Sequence, residues 1–98
     1  MDLTVTHDPE NSLYALTEGE GGPRVGLAAY QRSGDEWTFT HTEVDPAGEG
    51  KGRGGTLVRG ALDDVRAQGG TVVPLCSFVR GWIDRHPEYQ DLLPADRA

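Results

Sequence analysis

The chain has 98 residues, and 9 basic against 16 acidic side chains give it a net charge of −7. That length suits one domain, residues 1–98, with one core, and that charge argues against a general nucleic-acid surface and against an anionic membrane. One cysteine excludes an internal disulfide, and His7, His41 and His86 fall at no ligand spacing, so no metal site is expected.

The first elements read as a meander of antiparallel strands. Leu3–Val5 and Ser12–Leu16 are short strands, and Asp8–Pro9–Glu10–Asn11 between them is turn chemistry. Glu18–Pro23 is a second turn. Arg24–Gln31 is small or apolar on both faces, which fits a central strand. After a turn at Arg32–Asp35, Glu36–Val44 alternates clearly. Trp37, Phe39, His41 and Glu43 share one parity, and three threonines share the other with Val44. A bulge near residues 42–44 would reverse the side that His41 faces.

The period then changes. Val44–Val58 leads from a strand, through glycines at 48, 50, 52, 54 and 55, into a helix. Such a turn leaves little side chain between backbone and ligand, and it sets N–H groups at a helix N-terminus that favours an anion. Lys51 and Arg53 add full charges, so the stretch reads as a phosphate-binding turn. No Gly-Lys-Ser/Thr is present, because Gly52 follows Lys51, and that disfavours a nucleoside-triphosphate hydrolase.

Leu57, Val58, Ala61, Leu62 and Val65 recur at helical spacing, and Gly69–Gly70 stops the helix. Arg59 and Asp63 stand at pairing distance along it. Gly60 costs up to about 1 kcal/mol relative to alanine and permits close packing on the sheet. Thr71–Cys76 is a further strand, parallel to Glu36–Val44 through the helical crossover. Pro74 lacks a ladder donor, so the two strands part near it and open a gap where ligands bind in such sheets. Ser77 reads as the N-cap of a helix that ends at His86–Pro87. Phe78 and Trp82 read as core, and Glu88–Leu93 as a last turn. No repeat or linker is visible. No apolar run approaches the roughly 20 residues of a membrane span, and the N-terminal stretch has no signal-like block, so a cytoplasmic protein is expected.

This order of elements resembles the GCN5-related N-acetyltransferase superfamily, whose acetyl-CoA motif is written Q/R-x-x-G-x-G/A. Placing its glycines on Gly52 and Gly54 puts an acid, Glu49, at its first position. Four ordered features resemble the small YjdJ-type single-domain subfamily: His41–Val44, the glycine turn, Pro74–Cys76 and His86–Tyr89. The resemblance implies a mixed α+β sheet, with an antiparallel meander, then a βαβ unit with splayed parallel strands, then C-terminal helices. It implies acetyl-CoA as co-substrate, its pyrophosphate over Gly50–Gly55, its pantetheine arm along the strand ending at Val44, and its thioester beside Leu75–Cys76. Val44, Glu49, Gly50, Lys51, Gly52, Arg53, Gly54, Gly55 and Thr56 are then the cofactor-binding candidates.

Acetyl transfer to an amine needs a nucleophile, a donor to the oxyanion and a route for the proton. A backbone N–H near Val44 suits the second. Cys76, at the gap and near a helix N-terminus, is either an acyl-accepting thiol or a small buried hydrophobe. His41 is either a base and partner for Cys76 or a half-buried packing residue, with Glu43 as reserve base. The helix after Cys76 offers no tyrosine to protonate the departing thiolate. Tyr89 reads more simply as packing. An acetyltransferase acting on a small-molecule or protein amine is the expectation, as a monomer or homodimer. The alternative is a catalytically weak CoA-binding module.

Overall fold

The computed structural model describes residues 3–45 and 52–94. Strands β1 (Leu3–Asp8), β2 (Leu13–Glu18), β3 (Arg24–Ser33) and β4 (Glu36–Val44) form the expected antiparallel meander. Helix α1 (Arg53–Ala67) crosses over to β5 (Thr71–Pro74), which joins the sheet parallel to β4. The strand order is β1-β2-β3-β4-β5. Helix α2 (Ser77–Asp84) and a 3-10 helix (Pro87–Leu92) complete the chain. The mixed α+β architecture is the expected one.

Helix α1 turns Leu57, Val58, Ala61, Leu62 and Val65 onto one face of the sheet, where they are buried with Tyr14, Leu16, Phe39 and Val72. Gly60 lets it come close: a Cβ there would lie 2.7 Å from Val5 Cγ2. A polar cluster fixes the other end of the helix. Tyr14 donates to Asp64 at 2.7 Å, Gln68 Nε2 donates to the same carboxylate at 2.6 Å, and His7 stacks on Tyr14. Burial first, then the Asp64 carboxylate, hold the Tyr14 phenol protonated far above its usual range. Arg59 and Asp63 do not pair directly; both meet the Tyr89 hydroxyl, at 3.3 and 2.7 Å.

Two irregularities control what β4 presents. Its register with β3 shifts between Ala29 and Tyr30, which pair with His41 and Phe39, so Thr40 is the extra residue of a bulge. The bulge lies earlier than the expected position at 42–44 and has the expected consequence. Thr42 and Val44, not His41 and Glu43, continue the helix-covered face begun by Trp37 and Phe39. The second irregularity is the splay. Pairing with β5 ends at Phe39↔Pro74, and a last bond runs from Cys76 N–H to Phe39 O at 2.9 Å. Among the described residues, the rest of β4 has no partner strand on that side.

Among the described residues, no helix is long and apolar enough to cross a membrane.

Candidate active site

The gap between β4 and the start of α2 brings Cys76 to Thr42. Their Sγ and Oγ1 atoms are 3.3 Å apart. Cys76 itself occupies the N-cap of α2, and Ser77, expected there, is the helix's first residue. The one-residue offset sets the thiol over the helix N-terminus. Burial alone would raise its pKa, but the Thr42 hydroxyl and the N–H groups of Val79, Phe78 and Thr42 outweigh burial and lower it. The thiol is partly buried and reduced.

Strand alternation also directs backbone donors into the gap. Asp45 N–H turns toward β3, bonding Val25 O at 2.7 Å. The N–H groups of Thr42 and Val44 therefore point to the β5 side. Val44 N–H, the candidate oxyanion donor, thus faces the gap.

His41 is not brought to Cys76. The Thr40 bulge turns it to the opposite face of the sheet, where its Nε2 lies 2.7 Å from Glu43 Oε2. Both side chains are more than half exposed, at 59% and 65%. A carboxylate accepting from Nε2–H leaves Nδ1 with the free lone pair. The two candidate bases form one dyad, beside the gap but across β4 from the thiol.

The glycine turn divides. Glu49, Gly50 and Lys51 lie outside the described residues. Gly52 caps α1 with φ 75, the left-handed conformation glycine tolerates best. Gly54 and Gly55 lie within the helix, and their small size serves packing as well as access. A Cβ at Gly54 would stand 2.5 Å from the Phe78 ring, and one at Gly55 would stand 3.3 Å from Trp82 Nε1. Trp82 is core as expected, but Phe78 is 42% exposed, lying over Gly54 at the passage from the α1 N-terminus to Cys76. Arg53, expected to face phosphate, bonds Glu18 at 2.9 Å in a half-buried ion pair. Thr56 is exposed and donates its hydroxyl to Gly52 O.

The sequence did not point to a groove on the outer surface of α1. It has a volume of about 470 Å³ and runs from Gly55 and Thr56 past Arg59 to Trp82 and His86. Trp82 stacks on His86 at 3.8 Å there. Only the arginine and the aromatic pair hinted at it, and helical spacing assigned both elsewhere. A second cavity of about 300 Å³ lies where β3 begins and β4 ends, lined by Arg24, Glu43 and Asp45 among others. Among the described residues, no group of three or more His, Cys, Asp or Glu side chains is placed to hold a metal.

A GCN5-like protein from Staphylococcus aureus superposes with a TM-score of 0.65 at 18% identity, over 94% of this chain and 88% of its own. The ribosomal-protein-S18-alanine N-acetyltransferase from Escherichia coli superposes at 0.62 and 20% identity, over 74% of this chain and 49% of its own. These likenesses show a shared fold. Among curated proteins, no sequence matches significantly. The sequence profile of the GCN5-related N-acetyl-transferase family matches residues 13–92. The profile spans β2 through the 3-10 helix, and the chain belongs to the GCN5-related N-acetyl-transferase family.

Proposed function

We propose that the chain binds acetyl-CoA and moves its acetyl group to an amine, with Cys76 as the first acceptor. The contact between Cys76 and Thr42 at the mouth of the gap carries this reading. A thiol with a lowered pKa there is a nucleophile beside free strand donors.

The fit rests on three features. The unpaired edge of β4 offers N–H groups to an amide-bearing arm. The first turn of α1 offers N–H groups to an anion. The outer groove continues from Gly55 and Thr56 with Arg59, and so extends the anion site away from the thiol. Acetyl-CoA, when bound, supplies an activated thioester.

The chain's own residues then have separate tasks. Thr42 and the α2 N–H groups keep Cys76 as thiolate, so that Sγ would bond the acyl carbon as that carbon's bond to the donor sulfur breaks and CoA leaves as its thiolate. Val44 N–H stabilises the oxyanion. An amine that enters the gap from the open face of the sheet passes His41, which, oriented by Glu43, takes its proton at Nδ1 before the nitrogen reaches the acyl group on the other side of β4. The C–N bond forms as the bond between the acyl carbon and Cys76 Sγ breaks, and the sulfur leaves as thiolate.

One observation favours the second reading, a weak CoA-binding module. Arg53 is engaged by Glu18, which leaves the described part of the turn without a free full positive charge. Calorimetry with CoA, followed by a transfer assay with acetyl-CoA and a simple amine, separates the two. Binding with transfer supports the enzyme, binding without transfer supports the module, and no binding removes both.

A further inference from the structure

Among the described residues, the helices cover only one face of the sheet. Gly60 lies against Val5, Asp64 bonds Tyr14, and a Cβ on Gly26 would meet Leu57 Cδ2 at 3.6 Å. Val5, Tyr14 and Gly26 share that face by register.

The opposite face carries two complete cross-strand rows. Leu13 pairs with Ala29 and Ala29 with His41; Ala15 pairs with Leu27 and Leu27 with Glu43. Each row runs from two apolar residues to one member of the His41–Glu43 dyad. The four apolar residues are partly exposed, and none belongs to the core or packs against it. A sheet face left to water ordinarily alternates to polar side chains. β1 does so with Thr4 and Thr6, but β2 and β3 turn polar only past the apolar rows, at Thr17, Gln31 and Ser33. The result is an apolar plateau about 10 Å wide from β2 to β4, ending at a proton acceptor and bordered, at Leu27 and Glu43, by the cavity of about 300 Å³.

An apolar surface that runs across three strands suits a polypeptide better than a small molecule, which needs enclosure. Charge chooses between polypeptides. The strands carry the exposed carboxylates of Glu36 and Glu43 to this face, and Arg24 is the only arginine or lysine they carry there. A second copy would set carboxylate against carboxylate in a chain of net charge −7. A basic segment meets attraction instead.

We propose that this open face docks a polypeptide segment of mixed apolar and basic residues and delivers one of its amines to His41. The proposal rests on the acyl-transfer reading above for its chemistry but not for its binding.

An NMR titration of the full chain tests it. The probes are a short Leu–Lys peptide, its Leu–Glu counterpart and n-butylamine. The basic peptide should shift the amides of Leu13, Ala15 and Ala29, and the acidic one should not. Leu13→Arg should weaken peptide binding by about tenfold. Ala15→Arg should do the same and serves if the first variant does not fold. With acetyl-CoA present, both variants should raise the peptide's KM by about tenfold and leave transfer to butylamine unchanged. Peptide binding on this face without transfer to any amine keeps the docking face and removes the acyl-transfer reading. Butylamine transfer without peptide binding overturns the docking face and keeps that reading. Equal response to both peptides, or sedimentation showing self-association lost in Leu13→Arg, also overturns it.

Discussion

Cys76 Sγ lies 3.3 Å from Thr42 Oγ1, across the opening where β4 and β5 part. The contact joins a strand bulge to a helix cap. The bulge at Thr40 turns Thr42 inward, and the one-residue offset of the α2 cap brings the thiol to meet it.

This contact sets the reactivity of the thiol. The Cys76 pKa is lowered although burial alone would raise it, so the pH midpoint of its alkylation should lie below that of an ordinary cysteine, about 8.5. Thr42→Val removes the hydroxyl that favours the thiolate. The midpoint should then move up and the thiolate fraction at pH 7 should fall. Iodoacetamide kinetics followed by mass spectrometry measure both. An unchanged midpoint in Thr42→Val would assign the shift to the backbone N–H groups of Val79, Phe78 and Thr42 rather than to the hydroxyl.

The Glu18–Arg53 pair should limit CoA binding. Glu18→Gln frees the guanidinium while keeping a hydrogen-bonding side chain of similar shape. CoA affinity should rise by about 1 kcal/mol, near fivefold, at low salt, the upper range for a partly exposed ion pair. The gain should vanish in an Arg53→Gln background and shrink as salt increases. Calorimetry of the four proteins in this cycle gives the coupling. Lower affinity in Glu18→Gln would mean that Glu18 orients Arg53 rather than occupying it.

Gly60 separates helix propensity from packing. Alanine at an ordinary helix position gains up to about 1 kcal/mol over glycine. Here the new Cβ meets Val5 Cγ2 at 2.7 Å and Val5 Cβ at 2.8 Å, and the latter cannot rotate away. Gly60→Ala should therefore destabilise, by about 1–3 kcal/mol, the usual cost of overpacking. In a Val5→Ala background the same change should stabilise. Urea unfolding measures both signs.

The strands and turns were legible because alternation and turn chemistry are local. Pro74 announced the splay because a missing donor has only one tolerable place. The Thr40 bulge was not located, since Thr40 is as strand-prone as Thr38 or Thr42 and its extra length shows only against β3. The Arg53 partner lies 35 residues away in sequence, and no local pattern couples them. Gly54 and Gly55 read as clearance for a ligand because composition does not distinguish that from clearance for Phe78 and Trp82. His41 and Cys76 were both identified as candidates, but their separation across β4 depends on the parity that the bulge reverses.

The central claim is that Cys76 receives the acetyl group. The most direct measurement is incubation of the protein with acetyl-CoA, followed by intact-mass analysis and peptide mapping at mildly acidic pH, where a thioester survives. One added acetyl group should map to the peptide carrying Cys76, disappear on hydroxylamine treatment or addition of an amine, and be absent in Cys76→Ala. Transfer to an amine at the wild-type rate by Cys76→Ala, with no acetyl on Cys76 in the parent protein, would contradict the account.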